Sequence, residues 1–117
     1  MIVELLTKRY PGMRAWLVQR LTALIMAIYS IMALTRILIV QPREYVEWVG
    51  VFQPWWFRVA SWLFWISLTV HAWLGIRDVL KDYVPDIKTR QVLIKIVIVL
   101  LWGYMAWATW LILIKAL

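Results

Sequence analysis

The stretch Ser67–Val84, SLTVHAWLGIRDVLKDYV, closes a long apolar run and carries the only histidine of the chain, His71. At about 100° per residue, a helix through it has two unlike sides. Ala60, Phe64, Ser67, His71, Gly75, Asp78 and Asp82 fall in one stripe. Trp62, Thr69, Trp73 and Leu80 lie nearly opposite, and their bulk reads as a lipid-facing side. Neutral imidazole is a common metal ligand, and ionisable groups within a membrane are costly and mostly functional. Periodicity leaves two readings of His71 open: an axial ligand to a haem, or a hydrogen bond to a neighbouring helix. Gly75, one turn on, removes bulk beside the imidazole, as a flat macrocycle requires.

Working outward, the whole chain has the composition of a membrane protein. It has 117 residues, 65% of them hydrophobic, against about 45–50% in soluble domains. Three apolar runs are each longer than the roughly 20 residues that cross a bilayer. They cover residues 16–40, 55–80 and 91–114, so the expected fold is all-α, a single anchor domain over residues 1–117 with three transmembrane helices. No signal-peptide pattern of short apolar core and small-residue cleavage site is visible. The first apolar run persists past residue 30 and reads as a mature span.

Charge and cysteine content exclude several functions. The net charge is +7, but the cations sit at the ends of spans. That pattern reports topology and lipid headgroups rather than nucleic acid. The chain has no cysteine, which excludes disulfides, thiolate-bound iron–sulfur clusters and covalent c-type haem within it. No Walker motif, dinucleotide fingerprint, histidine pair or Ser-His-Asp set occurs.

The first fifteen residues form a polar arm with a Pro11-Gly12 turn signal. Arg20 then stands about one turn inside the first span. It either snorkels to the headgroups or faces the protein interior beside an anion. Ala27 and Ile31 share its face, flanked by Ala23, Leu24 and Leu34. Residues 41–54 read as a loop bracketed by Pro42 and Pro54, with Glu44, Tyr45, Glu47 and Trp48 suggesting a short interfacial helix. Residues 81–90 read as a second loop, since Pro85 pushes Val84 away from the α region. In the third span, Gly103 and Ala106 offer a close-packing face, while Trp102, Trp107 and Trp110 suit lipid or the interface.

Orientation follows from the cations. Lys8, Arg9, Arg14 and Arg20 share a side with Arg77, Lys81, Lys88, Arg90 and Lys95; only Arg36, Arg43, Arg58 and Lys115 lie opposite. The N-terminus is therefore expected in the cytoplasm and the C-terminus in the periplasm. His71 lies roughly 14 Å deep, at ~1.5 Å per residue. From the surface inwards the order is Asp82 and Tyr83, then Arg20, then His71.

The segment HAWLGIRDVLKDYV resembles H-A-W-x-G-x-x-x-V-x-x-D-Y-V of the small hydrophobic anchor subunit of bacterial succinate dehydrogenase, of cytochrome b556 type. An early stretch, Val18-Gln19-Arg20-Leu21-Thr22-Ala23, is similar to the V-x-R-x-T-A region of the same family. The resemblance implies a non-catalytic subunit in the bacterial inner membrane. Its partners would be a second anchor (cytochrome b) subunit, an iron–sulfur subunit and a flavoprotein. The complex would oxidise succinate in the tricarboxylic acid cycle and pass electrons to ubiquinone. His71 would be an axial ligand of haem b, shared with the second anchor subunit. Arg20 would lie at a haem propionate or the quinone pocket, and Asp82 and Tyr83 would bind ubiquinone. Met26, the in-chain alternative for a second ligand, points about 120° away from Arg20, so a partner histidine is favoured. Two further readings are a quinol-fumarate reductase anchor and a small non-redox membrane protein. A transporter among the latter needs an acidic residue within a span, whereas these lie at span ends.

Overall fold

The computed structural model describes Ile2 and residues 12–114. Its elements are α1 (Met13–Val40), α2 (Tyr45–Phe52), α3 (Trp55–Tyr83) and α4 (Ile87–Thr109), the last closing in a π-helical turn, Trp110–Ile114. Three of these, Met13–Val40, Trp55–Tyr83 and Ile87–Ile114, are long and apolar enough to cross a membrane. At ~1.5 Å per residue each is roughly 42 Å long, against an apolar thickness of about 30 Å. The expected all-α architecture with three long apolar helices is what the chain adopts.

The helices start and stop where local chemistry requires. Gly12, at φ 87°, supplies the left-handed residue before α1. Pro54 precedes α3 and Pro85 follows it; neither can donate a backbone hydrogen bond. The short α2 confirms the helix anticipated between the two prolines, with Glu44 as its N-cap residue. The second loop is shorter than its sequence suggests. The span α3 continues through Lys81, Asp82 and Tyr83, and α4 begins at Ile87, so only residues 84–86 connect them. Asp86 allows so tight a connection: its carboxylate caps α4 by accepting from the Thr89 backbone N–H and hydroxyl. The Thr89 hydroxyl holds that carboxyl below the usual carboxylate range.

The central helix is α3, with α1 packed on one side and α4 on the other. This corrects the lipid-facing side read from Trp62, Thr69 and Trp73. Those residues line a groove against Ile98, Leu101 and Met105 of α4. Trp62 Nε1–H donates to Thr109 Oγ1 at 3.0 Å, and the Thr69 hydroxyl meets Met105 Sδ at 3.6 Å. Conversely, the small-residue face of α4 is left uncovered by the described residues. Gly103 and Ala106 are exposed, and a Cβ at Gly103 would meet nothing within 4 Å. Trp102, Trp107 and Trp110 are exposed as anticipated.

At the end of the bundle where α2 packs, aromatic stacking holds the helices together. Phe57, fully buried, lies 5.4 Å from Tyr29 and 5.5 Å from Phe52, centroid to centroid; Tyr29 stacks on Phe64 at 4.6 Å. Two arginines counted only as topology signals close this end. Arg36 donates from Nε and Nη2 to the Val51 carbonyl at 3.1 and 2.9 Å, over the rings of Trp56 and Phe57. Arg58 donates to the carbonyls of Ile112 and Leu113 at 2.8 and 3.0 Å. Both satisfy carbonyl groups at helix ends that apolar surroundings would leave costly.

Candidate functional site

The single buried residue of α1 is not apolar: it is Thr22. Its hydroxyl lies 2.8 Å from the Val18 carbonyl and 3.0 Å from that of Gln19, one turn back on the same helix. It also lies 3.1 Å from His71 Nδ1 on α3. A hydroxyl has one proton to give, and two carbonyls are placed to take it. Toward the imidazole it is left as an acceptor, so His71 Nδ1–H donates to Thr22 Oγ1. The neutral ring then carries its lone pair on Nε2, for which the described residues supply no partner.

The same pattern recurs deeper in the α1–α3 interface. Ser61 Oγ donates to the Phe57 carbonyl at 2.8 Å, leaving it to accept from the Tyr29 hydroxyl at 2.6 Å. Two hydroxyls, each committed to its own helix, thus receive a donor from the facing helix.

His71 opens on a groove of about 580 Å³ between the N-terminal part of α1 and the C-terminal part of α3. Trp16, Gln19, Arg20 and Ala23 line it from α1; His71, Arg77, Asp78 and Lys81 line it from α3. Arg20 and His71, paired by sequence reasoning, therefore share one groove. The Arg20 guanidinium sits 5.4 Å from the Trp16 ring centroid, and the residue is exposed at the groove rim. Arg77 makes a 3.4 Å ion pair with Asp78. Three cations against one carboxylate make the groove suited to an anionic group.

Gly75 has another role than the one read from the sequence. A Cβ there would stand 3.7 Å from Gln19 Nε2, so the space beside it holds the Gln19 amide of α1. The glycine permits helix approach. Gln19 Oε1 is buried without a hydrogen-bond partner, an arrangement that apolar surroundings make costly.

Asp82 and Tyr83 lie apart from this groove. Both are exposed on the last turn of α3, Tyr83 at 79%, and neither is a lining residue. Tyr83 is twelve residues from His71, roughly 18 Å along the helix axis at ~1.5 Å per residue. No hydrogen bond joins Asp82 to Tyr83 among the described residues. Consecutive on the helix, they point about 100° apart at the end of α3, beyond the groove.

Sequence reasoning missed Thr22 as part of the site. Its signal was present: a threonine two residues after Arg20, on the side of α1 turned toward α3. A hydroxyl that back-bonds to its own helix is common in apolar helices, as at Ser30 and Thr35, and does not by itself point to a partner.

The chain is thus a bundle of long apolar helices with one imidazole set at a cationic groove. The chain belongs to the succinate dehydrogenase/fumarate reductase transmembrane subunit family, whose model matches residues 5–114. It is 34% identical over 97 residues to the succinate dehydrogenase hydrophobic membrane anchor subunit of Coxiella burnetii (strain RSA 493 / Nine Mile phase I), covering 83% of this chain and 84% of that relative. It is accordingly a membrane-anchor subunit of this family.

Among the described residues no three His, Asp or Glu side chains converge to hold a metal ion. A haem asks less of one chain: one imidazole with a free ring nitrogen, and cations for its carboxylates. His71 Nε2 and Arg20 fit that donor set, with Arg77 and Lys81 on the same groove.

Proposed function

We propose that this chain anchors a succinate dehydrogenase in the bacterial inner membrane and, with a second anchor subunit, binds haem b and forms part of the ubiquinone reduction site. The observation that carries the proposal is the Thr22–His71 hydrogen bond at the groove shared with Arg20. It leaves Nε2, the nitrogen that would be available to iron, without a partner among the described residues. The haem, when bound, supplies a one-electron carrier. His71 would hold its iron together with a histidine of the second anchor subunit. Arg20 would pair with a propionate, since an arginine fork bonds a carboxylate bidentately. The exposed stripe Ala23, Leu24, Ala27, Ile31 and Leu34 beside Arg20 suits close approach of that second subunit.

Ubiquinone would be reduced near Asp82 and Tyr83. Reduction by two electrons also takes up two protons, and water would reach the chain at the end of α3, where Asp82 and Tyr83 are exposed. The cytoplasmic face, rich in Lys and Arg on the positive-inside argument, is where the iron–sulfur and flavoprotein subunits would dock. The test is a reduced-minus-oxidised spectrum of the purified membrane complex. A b-type haem signal with all four subunits is expected; a complex without haem would favour a non-redox role.

Arg20→Leu is expected to lower haem retention or quinone turnover in that complex. Haem content per flavin and succinate:ubiquinone activity measure the two. Wild-type values of both would make Arg20 a snorkelling topology residue.

A further inference from the structure

We propose that Thr22 is the positioning residue that sets the tautomer, orientation and electron-donating strength of the His71 imidazole. The inference rests on the reading of His71 as a haem ligand and goes beyond it.

Thr22 is the single buried residue of the 28 in α1. Burying a hydroxyl where the rest of the helix buries nothing calls for a reason, because polar groups in apolar surroundings are costly unless paired. Thr22 is paired twice over. Its proton goes back to the Val18 and Gln19 carbonyls, and its lone pair accepts Nδ1–H of His71. The first contact dictates the second. With the proton held by its own helix, Thr22 accepts but does not donate toward the ring, and the imidazole is held as the Nδ1–H tautomer. A second consequence concerns rotation. The ring is fixed about its χ2 axis by a bond to a different helix, so Nε2 keeps one direction as long as α1 and α3 stay packed.

An acceptor on Nδ1–H also raises the electron-donating power of Nε2. Partners of this kind orient and tune metal-bound histidines, and their loss costs roughly 10–100-fold in metal affinity. Low dielectric strengthens the bond relative to the same contact in water.

The experiment compares Thr22→Val, Thr22→Ala and Thr22→Ser in the intact four-subunit complex. Valine keeps the shape and removes the acceptor; alanine removes both; serine keeps the hydroxyl. Haem retention is measured against excess apomyoglobin as a haem scavenger, and the midpoint potential by optical redox titration. Valine and alanine are expected to release haem about tenfold more readily. The potential of the haem that remains is expected to move positive, because a weaker donor stabilises ferric iron less. Serine is expected to match wild type on both counts. Unchanged retention and potential in the valine variant would overturn the proposal. So would a serine variant that behaves like valine, since keeping the hydroxyl would then not keep the haem. If valine disrupts assembly, judged by co-purification of the other subunits, the alanine and serine pair decides in the same way. A wild-type complex without haem, or wild-type haem content with an unchanged spectrum in His71→Ala, would instead overturn the reading of His71 itself.

Discussion

His71→Ala is expected to remove haem from the purified complex. The α band of the reduced spectrum should disappear, and haem per flavin should fall from near unity to background. The size of the effect follows from the single imidazole in the chain: no other histidine or cysteine can take its place. Met26 offers no rescue. It lies on the stripe with Thr22 and Tyr29, and those two residues make contacts to α3, so it is turned away from the Arg20 side. Succinate oxidation by an artificial dye should persist, since the dye takes electrons from the peripheral subunits. Retention of wild-type haem with an unchanged spectrum would exclude His71 as a ligand. Partial retention with a shifted spectrum would show the partner ligand holding the haem alone, and the assignment of His71 would stand.

The three spans were legible because hydropathy and length are summed over twenty or more residues, so no single position decides them. The contacts within the bundle were less legible, for a definite reason. In a lipid environment, the apolar residues that face neighbours are chemically the same as those that face lipid. Trp62, Thr69 and Trp73 read as a lipid-facing side and are the α3–α4 interface. Gly103 and Ala106 read as a packing face and are exposed, with nothing among the described residues within 4 Å of a Cβ at Gly103. Polar residues carried more information. His71 and Arg20 were found by their rarity in apolar surroundings, and the fold sets them on one groove. Thr22 went unnoticed because its role depends on which residue of α3 lies opposite, a relation between positions 49 apart in the sequence. Arg36 and Arg58 escaped for the same reason. Counting charges gave their side of the membrane, whereas their backbone carbonyl partners depend on how α2 and the end of α4 return to the bundle. Asp86 was visible as a carboxylate three residues before Thr89, but the expectation of a long loop hid its role as an N-cap.

Tyr83→Phe is expected to lower ubiquinone reduction strongly, by an order of magnitude or more, while leaving dye-linked succinate oxidation and haem content nearly intact. The substitution removes one oxygen and keeps the ring, so packing at the helix end should not change. A phenol hydroxyl can donate to a quinone carbonyl oxygen. Its position is suited to that task. Tyr83 ends α3 with its side chain exposed, and Val84 leaves the helix with an extended backbone. A headgroup arriving from the membrane can therefore meet the hydroxyl without displacing another side chain of this chain. Asp82, also exposed on that turn, can order water for the protons that reduction consumes. An aromatic at the membrane surface also serves as an anchor, and this common role predicts a different outcome: phenylalanine would substitute for tyrosine with no kinetic effect. The separation of roughly 18 Å along α3 between Tyr83 and His71 keeps the two tests independent. Loss of quinone turnover with an unaltered haem spectrum would place a donor to quinone at the end of α3. Equal quinone rates in variant and wild type would move the site to residues of the partner subunits, leaving to this chain the anchoring of the complex and the haem ligand.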